Sequence, residues 1–357
     1  MRFYTRQHKF YCGIDLHART MYVCILNQER EILLHRNIPS DKEGFLKIIA
    51  PYREDLAVAV ECIFTWYWLA DLCDSEGIPF VLGHALYMKA IHGGKAKNDK
   101  IDSNKIALLL RGGMIPQAYV YPARMRATRD LLRRRMHLMR KRAELLAHIQ
   151  NTNSQYNLPE IGVKIAYKAN RVGIAERFPQ PAVARSISVD IALIDHYDQL
   201  LGDLELYIVR TAKEHDSNTF HRLRSIHGVG KILSLVLLYE IHDIDRFPTV
   251  QDFVSYLPPG QVRQRVCRKA LRHRRKEDRQ CAFKVGLLRS RRSFLRGNPS
   301  AQNFLKKLAQ KRGKGKALSI LAHRLGRAVF YMMKRKPLST RRNFWPNPLE
   351  QTDQPDA

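Results

Sequence analysis

The pattern of apolar residues changes near residue 120, and this change divides the chain into two kinds of structure. Before it, short β-rich apolar runs alternate with helix-like runs, which is typical of an α/β domain. These runs include Met21 to Leu26, Leu56 to Val60 and Phe80 to Leu82. After it, Leu131, Leu138 and Leu145 recur every seven residues among many arginines, which indicates a coiled-coil-like helix. We therefore predict an α/β domain, a proline-containing linker from Tyr119 to Arg126 and then an all-α region.

Four acidic residues close apolar runs of the first region or open a helix-like run. They are Asp15, Glu61, Asp99 and Asp102. Asp99 and Asp102 are three residues apart, so both can face one way on a helix. A single acidic residue is usually a solvated surface charge. Four carboxylates brought together on a sheet and an adjoining helix can instead bind Mg²⁺ or Mn²⁺, and such metals promote displacement at phosphorus.

The charge of the chain indicates a polyanionic partner. Lysine and arginine number 62 against 33 aspartate and glutamate residues, a net charge of +29. In so basic a chain the natural phosphodiester is nucleic acid. No run of 18 apolar residues and no signal peptide are visible, so we expect neither a membrane partner nor export. The six cysteines show no CxxC pairing, which favours reduced core thiols and a cytoplasmic protein.

The second region contains two long helix-like runs and a glycine-rich turn. The second run, from Ile191 to Val209, follows a proline-containing turn, which predicts an antiparallel hairpin. This hairpin is either an ordinary bundle core or an oligomerisation arm. Further along, Gly228, Gly230 and Lys231 lie between two helical patterns. They form either a plain turn or a helix-hairpin-helix that offers backbone N–H groups to a DNA phosphate.

Several motifs, taken in order, resemble one family. They are GIDLH, ECIFTWYWLADL, KAKNDKIDSNKIALLLR, SIHGVGKILS and GKGKALSILAHRLGRAVFYMM. Together they resemble the IS110 family of transposases, the DEDD recombinases of bacterial insertion sequences, which are related to the Piv DNA invertase. The resemblance covers roughly residues 10 to 335, apart from residues 257–292. The combination of motifs is specific, although no single motif is.

The resemblance implies a fold and a set of partners. It implies a RuvC-like, ribonuclease-H-type domain over residues 1–118 whose catalytic and metal-binding acids are Asp15, Glu61, Asp99 and Asp102. It further implies a basic helical, coiled-coil-like hairpin over 119–215 and a helical transposase domain with the helix-hairpin-helix over 216–337. Residues 338–357 are predicted to be a disordered tail. Family members use a serine nucleophile and a structured guide RNA (a bridge RNA), and they act as oligomers, so we expect a dimer or tetramer in the bacterial cytoplasm, associated with the nucleoid.

Residues 257–292 depart from the family pattern. The segment holds ten arginines, three lysines and two acidic residues, its only serine is Ser290, and it has no Ser-Gly pair. It is either a basic nucleic-acid arm or the product of a compensated frameshift, and we favour the frameshift. Read from the second base, plausible codons permit a family-like segment whose serine codon straddles Val266 and Cys267. The nucleophilic serine is therefore expected near these two residues but is absent in frame, and this copy is expected to be inactive or badly impaired in DNA strand exchange.

Three functions remain open on the sequence. The leading hypothesis is a transposase that cuts and rejoins DNA with metal-bound acids and, in intact relatives, a serine, guided by RNA. The alternatives are a structure-selective two-metal nuclease and a non-catalytic nucleic-acid-binding remnant. A covalent protein–DNA adduct distinguishes the first from the second, because hydrolysis forms none.

Overall fold

The computed structural model describes residues 2–92, 98–226, 228–256, 294–296 and 298–335. The chain divides into two compact units, unit 1 (Met1–Ala123) and unit 2 (Arg124–Ala357). The predictions for the basic segment 257–292, with Val266 and Cys267, and for the tail 338–357 lie outside the described residues. Among the described residues, no helix is both long enough and apolar enough to cross a membrane.

Unit 1 is a mixed sheet with helices. Its strands are β1 (Phe10–Leu16), β2 (Thr20–Leu26), β3 (Ile32–Pro39), β4 (Leu56–Glu61) and β5 (Phe80–Gly83). Its helices are α1 (Lys42–Ile49), α2 (Tyr67–Ser75), α3 (Ala85–His92) and α4 (Asp99–Arg111), with a 3-10 helix at Ala50–Asp55. The strand order is β3-β2-β1-β4-β5, in which β1, β4 and β5 are parallel and β2 is antiparallel to both neighbours. The predicted α/β class of this region is confirmed.

The two faces of the sheet follow from the alternation of side chains along each strand. In β1, the buried Cys12, Ile14 and Leu16 belong to an apolar cluster that includes residues of α1 and α2. Tyr11 belongs to a separate cluster that includes Ala57 and Ala59 of β4 together with residues of α4. Odd-numbered positions of both strands therefore face α4, and this parity decides where the acidic residues point.

Helix α4 packs on β1 at very close range. A Cβ atom at Gly13 would lie 2.2 Å from the backbone nitrogen of Ala107 and 2.4 Å from the carbonyl oxygen of Ser103. Only a residue without a side chain permits this approach. The helix backbone therefore contacts the strand backbone two residues before Asp15.

Unit 2 is helical where the structure describes it. Its helices are α5 (Ala123–Gln155, whose first residue is the last of unit 1), α6 (Pro181–Ser225), α7 (Lys231–Ile241), α8 (Val250–Tyr256), α9 (Pro299–Arg312) and α10 (Lys314–Arg335). Short 3-10 helices lie at Lys168–Asn170 and Ala175–Arg177. The predicted helical class of this region is confirmed.

Helices α5 and α6 pair in opposite directions along much of their length. Arg135 binds Glu205 at 2.6 Å, Arg142 binds Asp198 at 2.6 Å and His148 binds Asp190 at 2.5 Å, so partner numbers fall on one helix as they rise on the other. Leu131 and Leu145 of the predicted seam pack against apolar clusters of the same chain. Whether the hairpin also forms a coiled coil with another protomer stays a prediction.

Helix α7 is buried along most of its length. All nine of its residues from Leu233 to Ile241 are buried, as expected for a helix that is apolar on every side. Its buried charged residue is Glu240, which is 3% exposed and accepts hydrogen bonds from Arg129 (2.9 Å) and Arg133 (2.8 Å) of α5. Two guanidinium groups therefore compensate the buried carboxylate and fix α7 against α5.

Several element boundaries differ from the sequence-based expectation. The segment from Tyr119 to Arg126 was predicted to be a linker, but α5 already begins at Ala123. The second long helix extends beyond Ile191–Val209 in both directions, with a break in helical backbone at Asp216 (φ −160°, ψ 81°). The predicted domain boundary after residue 215 falls at this break, and the division into domains there stays a prediction.

Candidate functional site

Asp15 and Glu61 lie at the carboxyl ends of two neighbouring parallel strands, β1 and β4, and so on the same side of the sheet's strand ends. Ile14 of β1 pairs with Val60 of β4, and each acidic residue follows directly. Adjacent strands are about 4.8 Å apart. Both acids occupy odd-numbered positions and therefore share the face that α4 covers. The carboxyl ends of parallel strands are where open α/β sheets bind ligands.

The start of α4 provides the other two acids. Asn98 is the N-cap, and its side chain accepts a hydrogen bond from the backbone N–H of Lys100 at 3.0 Å. Asp99 and Asp102 occupy the first turn, where the helix dipole favours negative charge. Lys105 lies one turn further, with its Nζ 3.3 Å from Asp102 Oδ1. The cap thus fixes the turn that carries both carboxylates.

His17, which is not among the predicted site residues, lies between acids from the two elements. Its Nε2 is 3.5 Å from Asp15 Oδ2 and 3.4 Å from Asp99 Oδ2. One ligand atom from each of these three residues lies within 4.8 Å of the others. The backbone N–H of His17 donates to Thr20 at 2.9 Å, which closes the β1–β2 turn. The Asp-x-His spacing at the end of a strand is the signal that could have identified it.

The four acids influence one another electrostatically at Asp15. Partial burial raises the pKa of the Asp15 carboxyl; nearby His17 opposes this shift, and the negative charges of Asp99, Asp102 and Glu61 add to it. A carboxyl with a raised pKa releases its proton less readily because its charge is poorly solvated and repelled. The structure thus brings Asp15 and Asp99 into direct range of one ion, while Glu61 and Asp102 act on Asp15 through their charge.

These residues fit a divalent cation. The donor set consists of carboxylate oxygens with one imidazole nitrogen, a combination compatible with Mg²⁺ or Mn²⁺. The charge on the half-buried Asp15 is unfavourable beside three other acids, and a bound cation would relieve that repulsion. The chemistry of the site therefore agrees with the metal expected from the sequence.

The glycine-containing turn lies in unit 2, before α7. Gly228 adopts φ +81°, and a Cβ atom there would lie 2.4 Å from the backbone nitrogen of Phe294. Gly230 is the N-cap of α7, and Lys231 is its first residue. The Nζ of Lys231 is 3.2 Å from Glu205, to which Arg135 also binds. Lys231 is thus partly exposed but already has one acidic partner.

The positive charge of the chain is distributed unevenly between the units. Residues 1–123 hold 15 lysines and arginines and 13 acidic residues, a net charge of +2. Residues 124–357 therefore carry +27 of the total of +29. The acidic centre lies in a nearly neutral unit, and the polyanion-binding charge lies almost entirely in the other.

Two family models match the chain. One, DEDD_Tnp_IS110, is described as a transposase and matches residues 12–157, which include all four acids and His17. The other is described as Transposase IS116/IS110/IS902 family and matches residues 220–274, which include the glycine-containing turn. No curated protein matches the chain.

Proposed function

Because the chain belongs to the IS110 family of transposases, and so is a DNA transposase by family, we propose that Asp15, Glu61, Asp99 and Asp102 form its metal-dependent centre for cutting DNA. Both matches confirm the resemblance inferred from the motifs, and the second continues to residue 274, into the segment 257–292 that was expected to depart from the family pattern. The observation that carries the proposal is the meeting of Asp15 and Asp99 across β1 and α4, with His17 between them.

Each residue has a separate part in this proposal. The carboxylates of Asp15 and Asp99 would hold Mg²⁺ or Mn²⁺, with Glu61 and Asp102 completing the negative environment. A divalent cation there would polarise a phosphoryl oxygen and activate an attacking oxygen. The Nε2 of His17, which lies within 3.5 Å of both carboxylates, would supply the third ligand atom. The partial burial of Asp15 disfavours its uncompensated negative charge, which a bound cation would neutralise.

Metal binding and cleavage test the centre directly. We expect Asp15→Asn to weaken Mn²⁺ binding, measured by calorimetry, by at least about tenfold and to abolish metal-dependent DNA cleavage. The control is Glu54→Gln, which removes an exposed carboxylate just before β4, at the opposite end of that strand from Glu61. Wild-type metal affinity and cleavage in Asp15→Asn would refute the assignment.

The missing Ser-Gly motif makes hydrolysis a second candidate activity. We propose that intact relatives rejoin strands through a serine, and that this chain, without a serine at Val266 or Cys267, forms no such link. A two-metal nuclease would still hydrolyse DNA, because the four acids and their metal ions would suffice without a serine. Incubation with labelled DNA followed by denaturing electrophoresis separates the two candidates. A protein–DNA adduct from the unmodified chain would contradict both the frameshift and the serine assignment.

The remaining proposals concern partners. DNA binding is implied by the family, and the +27 charge of residues 124–357 supports a large polyanion there. We propose that Gly228, Gly230 and Lys231 contact the DNA backbone, that the basic helices also bind a structured guide RNA, and that the protein works as a dimer or tetramer. Exposed apolar side chains on α6, such as Leu206 (68%) and Tyr207 (58%), are consistent with self-association.

A further inference from the structure

One aromatic side chain beside the acidic centre is exposed to solvent. Phe64 is 74% exposed, the largest exposed fraction among the large apolar side chains of unit 1 that the structure describes. A phenylalanine is usually buried, because removing its ring from water contributes about 1.5–3 kcal/mol. Neither the metal site nor the fold of unit 1 uses this ring.

The loop that carries Phe64 is held in place on both sides. On one side, the backbone N–H of Cys62 donates to the carbonyl oxygen of Gly83 at 2.8 Å. On the other, Thr65 Oγ1 donates to the carbonyl oxygen of Leu16 at 3.1 Å, and Trp66 is 3% exposed in the core. The exposure of Phe64 is therefore imposed by the surrounding contacts, which direct its neighbours inward.

These anchors place Phe64 next to the acids. Leu16, which accepts the Thr65 hydroxyl, stands between Asp15 and His17 in the chain. Phe64 follows Glu61 by three residues, so their Cα atoms are at most about 11 Å apart. Phe64 thus lies at the border of the site, within reach of a nucleotide whose phosphate would bind a cation held by the carboxylates.

A second exposed ring, that of Tyr87, follows the carboxyl end of the neighbouring strand β5. Gly83 of β5 pairs with Glu61 of β4, and α3 begins two residues later. Tyr87, in the first turn of α3, is 43% exposed, and its ring contacts that of His84 with centroids 4.6 Å apart. Phe64 and Tyr87 therefore follow the carboxyl ends of two adjacent parallel strands, one of which carries Glu61.

We propose that Phe64 stacks on an unpaired nucleobase of the DNA strand held at the acidic centre, with Tyr87 as a second stacking ring. The proposal rests on the proposed function of that centre. Flat rings beside a groove that holds phosphate are the usual means of binding unpaired bases, and they tolerate any sequence because every base has a π-face. Stacking on a ring also compensates a base for leaving the duplex stack, which exposes the adjacent phosphate for cutting.

Photo-crosslinking locates the contact. The full-length protein is irradiated with single-stranded DNA that carries 5-iodouracil, and crosslinked peptides are identified by mass spectrometry. We expect a crosslink at Phe64, lost in Phe64→Ala and kept in Phe64→Tyr. The control is Ile32→Ala, which removes a 51% exposed side chain at the start of β3, at the opposite edge of the sheet. Crosslinking at the basic helices without any at Phe64 or Tyr87 would overturn the proposal.

Affinity distinguishes stacking from simple apolar contact. At about 0.5 M salt, where phosphate contacts are weakened, Phe64→Ala should bind single-stranded DNA about 5- to 150-fold more weakly than wild type. Phe64→Tyr should bind like wild type and Phe64→Leu like Phe64→Ala. Binding to a fully paired duplex of the same length should change less than about twofold, because its bases are already stacked. If Phe64→Ala lost as much affinity for duplex as for single-stranded DNA, or if Phe64→Leu bound with full affinity, stacking would be refuted. If Phe64→Ala lost affinity for RNA but not for DNA, the proposed contact with the DNA strand would be refuted.

The same variants keep this inference separate from the proposed function. Asp15→Asn removes a proposed metal ligand but leaves the ring in place, so it should lose cleavage and keep the Phe64 crosslink. If Asp15→Asn cleaves normally while the crosslink is present, the metal centre is wrong and stacking stands. If Asp15→Asn loses cleavage and no crosslink forms in wild type, the stacking proposal alone fails.

Discussion

Replacing Gly13 with alanine should separate the two halves of the acidic centre. The new Cβ atom would lie 2.2 Å from Ala107 N and 2.4 Å from Ser103 O, and both are backbone atoms that no side-chain rotation can move. Ordinary contact requires roughly 3.4 Å or more, so α4 must move from β1 by about 1 Å. Asp99 and Asp102 lie on that helix, whereas Asp15 lies on the strand.

The size of this shift sets the expected loss. Catalytic groups must be held within about 0.5 Å of productive geometry, and a 1 Å misplacement lowers rates by about 100-fold. Overpacking of this kind also destabilises a core by about 1–3 kcal/mol. We expect Gly13→Ala to fold with a lowered melting temperature, to bind Mn²⁺ more weakly and to cleave DNA about 100-fold more slowly at saturating metal.

The experiment compares metal titration, cleavage and thermal unfolding of Gly13→Ala with those of Gly202→Ala. Gly202 lies within α6, and nothing is within 4 Å of the position that its Cβ atom would occupy, so alanine there should leave activity unchanged. Circular dichroism near 20 °C confirms that each variant is folded at the assay temperature. Wild-type metal affinity and cleavage in Gly13→Ala would show that the contact between α4 and β1 does not position the acids.

Three further predictions address other contacts. Removing the buried carboxylate by Glu240→Ala leaves the buried guanidinium of Arg129 and the partly buried guanidinium of Arg133 without that partner. This should destabilise unit 2 by about 3–5 kcal/mol in urea unfolding, whereas an effect under about 1 kcal/mol would contradict its role. Lys231→Glu should weaken binding to all DNA sequences alike and reduce the salt dependence of binding, and selective loss for one sequence would indicate base readout. Burial lowers the pKa of His84 from its ordinary value of 6.5, so the unfolded chain takes up this proton more readily than the folded protein. The free energy of unfolding should therefore fall as the pH is lowered through 6.5, by at most about 1.4 kcal/mol per pH unit, and His84→Phe should flatten that dependence.

The sequence predicted those parts of the fold that local pattern determines. The apolar runs of β1 and β4 are buried, and each run ends close to one of the acids, so the placement of Asp15 and Glu61 at one sheet edge followed from strand polarity. Asp99 and Asp102 lie in the first turn of a helix, as their spacing indicated, whereas the capping role of Asn98 is seen only in the structure. In each case the signal lies within a few residues.

Other features depend on contacts that local pattern does not contain. Strand β3 is an edge strand with only one buried residue, Ile38, so it shows no apolar face to recognise. Pro122 suggested a linker, but a proline is tolerated immediately before a helix and does not prevent α5 from beginning at Ala123. The position of His17 against Asp99 depends on how α4 docks on β1, which joins residues that are distant in the sequence.

The uneven charge of the two units has a consequence during synthesis. All four acids precede Arg111, in a unit with a net charge of +2, and the ribosome completes that unit before most of the basic residues exist. Domains generally fold in order as the nascent chain emerges. The centre that would cut DNA can therefore form while the chain still carries little positive charge, and most of its electrostatic attraction for polyanions is added only with the later residues.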